Sequence, residues 1–168
     1  MTIARMFTAI ELPASHVESI RSQQRLLDGA KWERQPHITL AHFGDVPAER
    51  VDELKSLVSS VKVPRLTISP SGFGFFPNAE TPEVMWIGIE PNPTLHALAD
   101  ALGAVRRDFV GKDDALPFKP HITIARTRSV ELEAVQGFVD GFVLSDLPTF
   151  NVERLALFAS ERTGYQEI

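Results

Sequence analysis

Gln35-Pro-His-Ile-Thr-Leu-Ala41 and Lys119-Pro-His-Ile-Thr-Ile-Ala125 are nearly one heptapeptide written twice. They agree at five of seven places, a sixth is an aliphatic swap, and 84 positions, half of the 168-residue chain, separate the two histidines. Self-similarity at half-length limits the fold to a duplicated unit. The flanks repeat as well. Met6-Phe-Thr-Ala-Ile-Glu11 echoes Met85-Trp-Ile-Gly-Ile-Glu90, each apolar enough for a buried strand and each followed closely by proline at Pro13, Pro91 and Pro93.

Helical patterns follow each of these strands. Ser15-His-Val-Glu18 has the form of a capping box, with Leu12, Val17, Ile20 and Leu27 near one face. In the second half Leu95, Leu98, Leu102, Val105 and Phe109 form a stripe, with Pro93 suited to the first turn. A further helix follows each heptapeptide, through Val51, Leu54, Leu57, Val58 and Val61, and through Leu132, Val135, Phe138 and Val139. More strands are expected near 65–76 and 149–168. Each half thus reads β-α-β-α-β, and the expected fold is α+β: a duplicated two-lobe architecture whose antiparallel sheets face a central cleft. Nothing resembling a Gly/Ser or Pro-rich linker divides the lobes, so residues 1–168 are expected to form a single domain of two pseudo-symmetric lobes. With 43% hydrophobic and 23% charged residues the chain can build a core without a staple.

Within a strand, residues two apart share a face, so His37 projects with Thr39 and His121 with Thr123. The proline before each histidine holds the preceding residue extended and marks a strand start. One His-x-Thr means little; two, each behind a proline and placed symmetrically, are specific. Two lobes related by a pseudo-twofold axis bring two imidazoles and two hydroxyls into one pocket. With an unperturbed pKa near 6.5, one ring can be neutral and the other protonated around neutral pH. The neutral ring takes a proton from water while the charged ring gives one to a leaving oxygen. Threonine hydroxyls can donate to oxygens that gain negative charge. Such parts suit displacement at phosphorus without a metal.

The remaining chemistry is excluded or weaker. The absence of cysteine removes disulfides, a thiol nucleophile and thiolate metal sites. The net charge of −5 is no polybasic coat, so a nucleic acid would have to be gripped locally, at an end. Arg34, Lys119, Arg126 and Arg128 flank the motifs and concentrate positive charge there. A His-only metal hydrolase lacks its carboxylates, since neither heptapeptide holds Asp or Glu and no His-Glu-x-x-His occurs. A non-catalytic RNA-end binding module is a second rival, against which the retained pair of histidines speaks. His42 has the opposite parity to His37 and is expected to point away from the pocket. His16, in a capping turn, and His96, on a helix, are assigned no role. Phe43 shares parity with His37 and could stack on a terminal base or lie in the core. Phe73, Phe75 and Phe76 read as strand packing, and Gly72-x-Gly74 as a bend or bulge, not a phosphate loop. No apolar run approaches a bilayer span and the N-terminus lacks a signal-peptide pattern, so a cytoplasmic location is expected.

The two motifs resemble those of the two-histidine phosphoesterase superfamily, and within it the RNA 2′,3′-cyclic phosphodiesterases once named 2′-5′ RNA ligases. Likeness runs over almost the whole chain: Arg5-Met-Phe-Thr-Ala-Ile-Glu-Leu-Pro13, Trp32 before the first motif, His37 to Val46, Gly72-Phe-Gly-Phe-Phe-Pro77, Met85-Trp86-Ile87, and Pro120-His-Ile-Thr-Ile-Ala-Arg126. It departs at His42-Phe43-Gly44, where the family has Phe-Leu-Gly. The resemblance implies His37 as proton donor, His121 as proton acceptor, Thr39 and Thr123 on the non-bridging phosphate oxygens, and Arg126 as a charge-assisted contact to phosphate. The repeat itself is symmetric, so the acid–base order comes from the resemblance alone. Arg126 lies five places after His121 and can reach the pocket only if the strand ends or bulges near Ala125. The implied substrates are RNA 3′ ends or nucleotides bearing a 2′,3′-cyclic phosphate, opened to a 2′-phosphomonoester, with reverse 2′-5′ joining possible. Neither cofactor nor metal is implied, no membrane partner is expected, and the expected state is a monomer.

Overall fold

A computed structural model describes residues 3–161 and 164–168. In the first half β1 (Ile3–Glu11) leads to α1 (Ala14–Gln23), the short β2 (Lys31–Trp32), β3 (His37–Pro47), α2 (Val51–Ser59), β4 (Leu66–Ile68) and β5 (Pro70–Phe76). In the second, β6 (Val84–Ile89) leads to α3 (Pro93–Val110), β7 (His121–Arg126), α4 (Leu132–Gly141), β8 (Phe150–Val152), β9 (Ala156–Glu161) and β10 (Gly164–Glu167). The repeat is therefore β-α-β-α-β-β, with β2 and β10 as additions. Among the described residues no helix is long and apolar enough to cross a membrane.

Helix entry differs between the halves. Asn92 caps α3 by accepting the Leu95 N–H at 3.0 Å, Pro93 occupies the first turn, and Gly111 ends the helix at φ 75°. Leu95, Leu98, Leu102 and Phe109 are its buried stripe. The capping box expected at Ser15 does not form, because the chain already enters α1 at Pro13. Ser15 sits inside the first turn and its hydroxyl meets His16 Nδ1 at 3.4 Å. His16 is buried, and its Nε2–H donates to the Pro148 carbonyl at 2.6 Å, tying α1 to the approach to β8.

All strand pairs are antiparallel. The large sheet runs β10-β9-β1-β3-β7-β6-β5, with β2 also on β7, and β4 pairs with β8 in a separate two-stranded sheet. Its order is symmetric about the β3–β7 seam. The segments near 65–76 and 149–168 each divide in two: β4 and β8, which are counterparts, pair with each other, while β5 joins the second lobe and β9 the first. Ser69-Pro70 makes the break in the first half and residues 153–155 the break in the second, and a Ser69–Thr149 hydroxyl contact of 2.7 Å ties the first break to the start of β8. The lobes have thus exchanged their last strands. Ile38, Ile122 and Ile124 point from the seam into the main core and are fully buried. On the first lobe Phe7, Ala9, Ala156 and Phe158 form a second, smaller cluster with Tyr165 packed against it.

Candidate active site

The seam sets the geometry. Ile38 lies opposite Ile122. Extending that antiparallel register by one residue each way places His37 across from Thr123 and Thr39 across from His121. All four are half-exposed, whereas Ile38, Leu40, Ile122 and Ile124 between them are buried. Beyond the seam, β2 rejoins β7 at Lys31–Arg126 and Trp32–Ala125. Glu33 N–H still donates to the Ile124 carbonyl at 2.8 Å, and only the chain from Arg34 to Pro36, the last lacking a backbone N–H, leaves the ladder.

Both imidazoles are held in the same way. His37 Nδ1–H donates to the Gln35 carbonyl and His121 Nδ1–H to the Lys119 carbonyl, each at 2.6 Å. A carbonyl can only accept, so this contact fixes the tautomer and leaves both Nε2 atoms for chemistry. In each heptapeptide the contact spans the proline and joins the ring to the carbonyl two residues back. His37 is stacked on Phe7 at 5.1 Å and edged by Tyr165 at 5.1 Å. On the other lobe Phe76 meets His121 edge-on at 5.1 Å, and Trp86 lies 5.7 Å from it. Phe7 and Trp86 hold equivalent places in the repeated strands. Each ring is therefore flanked by an aromatic side chain of the neighbouring strand, β1 on one side and β6 on the other. Burial lowers the pKa of His37 below 6.5; the Gln35 carbonyl and the charge of Glu33 oppose this, and the charge of His121 adds to it. The His37 ring therefore feels the charge of His121 across the seam.

A bulge follows each threonine. In β3 the partner of Thr8 is Ala41 while that of Ala9 is Thr39; in β7 the partner of Met85 is Ala125 while that of Trp86 is Thr123. Each bulge inverts the side-chain parity downstream. Ala41 and Ala125 turn inward and are buried, and the residues after them turn toward the cleft face. Arg126 is thereby exposed beside a pocket of about 370 Å³ lined by Trp32, Arg34, Thr123 and Tyr165. His42 is the same distance from His37 as Arg126 is from His121. Contrary to the parity expected from its sequence position, its ring lies on the cleft face, 5.8 Å from Phe7. Phe43 goes the other way. It is 4% exposed and packs edge-on against Phe109, so it belongs to the core and offers no base platform.

Other expected residues divide between cleft and scaffold. Lys119 Nζ stands 5.1 Å from the Phe76 and Trp86 rings, and Arg34 lines the pocket. Arg128 is paired with Glu83 at 2.6 Å. Phe73 packs on Phe138 and Phe142 and belongs to the core, but Phe76 is a cleft residue. Pro70 to Phe73 carries the bulge expected near Gly72. Gly74 has a different reason: a Cβ there would sit 2.1 Å from the Trp86 indole. His96 meets Phe118 at 5.2 Å, away from the motifs. Sequence reasoning missed Tyr165, whose hydroxyl meets Glu33 at 3.4 Å and whose N–H donates to Gln35 Oε1 at 3.0 Å. No periodic signal marks it. Phe7 could have been found by matching it to Trp86. Among the described residues no group of three or more His, Cys, Asp or Glu side chains could share a metal ion. A hollow of equal volume, lined by Lys55, Val58 and Leu157 among others, holds no motif residue.

A sequence model of the 2′-5′ RNA ligase superfamily matches residues 10–164. The chain is 30% identical over 129 residues to an RNA 2′,3′-cyclic phosphodiesterase of Archaeoglobus fulgidus, covering 74% of this chain and 73% of that one. It is 30% identical over 167 residues to the protein of that name from Escherichia coli, covering 96% and 92%. Among solved structures, E. coli LigT in apo form superimposes with a TM-score of 0.76 at 26% identity, over 100% of this chain and 95% of that one. The complex of E. coli LigT with 3′-AMP gives 0.76 at 25% identity, over 99% and 96%.

Proposed function

Because the chain belongs to the 2′-5′ RNA ligase superfamily, and is a phosphoric diester hydrolase, we propose that it opens 2′,3′-cyclic phosphates at RNA 3′ ends by acid–base catalysis between His37 and His121. The observation that carries this reading is the matched pair of Nδ1–H to carbonyl contacts, which leaves two Nε2 atoms free on one face of one seam. His121 Nε2 takes a proton from water as the water oxygen bonds to phosphorus. The bond from phosphorus to the 3′ oxygen breaks, and His37 Nε2–H protonates that oxygen. The product is a 2′-phosphomonoester, and exchange with solvent restores both rings. Thr39 and Thr123 donate to the non-bridging oxygens, which gain charge in the transition state. Arg126 supplies a charge-assisted contact to phosphate.

In the free protein burial favours neutral His37, yet the mechanism requires its protonated form. The negative charge of a bound phosphodiester supplies the opposing field that favours the imidazolium. E. coli LigT forms a complex with 3′-AMP, which supports a nucleotide-sized ligand for this protein. With a 5′ hydroxyl in place of water as the attacking group, the same two proton transfers would join it to a cyclic end through a 2′-5′ bond, again releasing the 3′ hydroxyl. In this reading the protein acts as a monomer and without a metal.

The test is incubation of the purified protein with an oligonucleotide ending in a 2′,3′-cyclic phosphate, with the product identified by its mobility and phosphatase sensitivity. A 2′-phosphomonoester is expected, and the rate is expected to persist in excess chelator. A 3′-phosphomonoester would reverse the leaving group, and loss of activity restored by zinc would replace the mechanism with a metal-dependent one.

A further inference from the structure

His42 occupies on the first lobe the place that Arg126 occupies on the second. Each stands five positions after its motif histidine and directly after a bulged, buried alanine. The superfamily resemblance gives Arg126 a role and gives His42 none, since this chain departs from the family's Phe-Leu-Gly at that point. Yet His42 faces the cleft. Its Cα partner is Phe7, whose ring lies 5.1 Å from His37 and 5.8 Å from His42. The residue is exposed. Its position is nonetheless fixed through the backbone, because Arg106 Nε donates to the His42 carbonyl at 2.7 Å while Arg106 also holds Asp114 at 2.9 Å. That anchor leaves the ring nitrogens available.

The surroundings of the ring favour an anion. After burial, the effects that lower its pKa come from His37, Arg5, Arg106 and His121, all of them positive groups or groups that become so. The nearby carboxylates are already engaged: Asp45 lies 3.6 Å from Arg5, and Asp114 pairs with Arg106. His42 stands beyond Thr39 across the bulge, and their partners Phe7 and Ala9 are two positions apart, so the step along the strand is roughly 7 Å. At that step the short imidazole, unlike the longer side chain of Arg126, suits the next phosphate of a chain.

Resting on the phosphodiesterase reading, we propose that His42 is a second phosphate-binding arm, contacting the phosphodiester that joins the terminal RNA residue to its neighbour. The ring takes up a proton as the anion docks, which offsets the repulsion from the surrounding cations. The cleft then binds an RNA end by at least two phosphates, and a lone nucleoside cyclic phosphate forfeits one of the contacts.

Steady-state kinetics on cytidine 2′,3′-cyclic phosphate and on a dinucleotide with the same cyclic end test this. His42→Phe should raise KM for the dinucleotide about fivefold more than for the mononucleotide, the scale of one charge-assisted hydrogen bond. His42→Arg, which copies the Arg126 arm, should restore the ratio. Equal changes in both substrates would reduce His42 to packing on Phe7 and overturn the proposal. Wild-type protein that turns over neither substrate would overturn the phosphodiesterase reading beneath it, an outcome distinct from an unchanged ratio.

Discussion

At the scale of single residues, the proposed reaction assigns His37 and His121 opposite protonation states. Replacing either with alanine should lower kcat by roughly 10²–10⁴-fold, the usual contribution of a positioned acid or base. Circular dichroism should be unchanged, because neither ring is part of the main core. A variant retaining near-normal turnover would remove that residue from the mechanism. The pKa of His37 also fixes a sign for stability. Burial lowers it in the folded protein from the ordinary 6.5, so the unfolded chain binds the proton more readily. Stability is therefore complete above about pH 6.5 and is lost as pH falls toward the lowered value. Thermal melts at pH 7.5 and 5.5 should differ, and the difference should shrink in His37→Phe; an unaltered difference would show that the ring is not desolvated. The motif histidines and threonines were legible in the sequence because strand alternation holds up to Thr39 and Thr123. His42 and Phe43 were misplaced for the opposite reason, since a bulge costs one residue and leaves no compositional trace.

At the scale of elements, the strand pair β5–β6 shows how one small residue bears on the surroundings of His121. The Trp86 indole lies over Gly74 and reaches the His121 ring. Gly74→Ala inserts a methyl where the indole now sits, 2.1 Å from its atoms, so either the strand backbone or the indole must shift. The expected cost is about 1–3 kcal/mol of stability, typical of overpacking. The intrinsic Trp fluorescence should change together with kcat, because a displaced Trp86 no longer supports His121. A variant with wild-type melting, fluorescence and kcat would show that the indole has room elsewhere. The glycine pair was visible in the sequence as a break in a strand, but not which glycine served which purpose. Helix α3 was readable from Pro93 and its apolar stripe. Helix α1 was readable as well, but its start was not, because Pro13 caps it two residues before Ser15. Local chemistry predicts an element where only one start is available and misleads where two compete.

At the scale of the whole molecule, the repeat revealed a duplication but not the exchange of strands between its copies. Both β5 and β9 are apolar stretches that could pair with either lobe, and only tertiary packing decides between them. The exchange makes each half an unsuitable folding unit. Residues 1–80 alone would leave β5 without β6, β4 without β8 and the β1 edge without β9, and residues 81–168 would carry the matching losses. Ile38 and Ile122, both fully buried at the seam, would each lose the strand opposite. We therefore expect residues 1–168 to unfold as one cooperative domain. Each fragment expressed alone should show weak circular dichroism and no cooperative melt. Mixed in equal amounts, the two should regain a melt and phosphodiesterase activity together, since His37 and Thr123 face each other only across the restored seam. A fragment that melts cooperatively alone would mean that strand exchange is dispensable and that each lobe can close its own sheet.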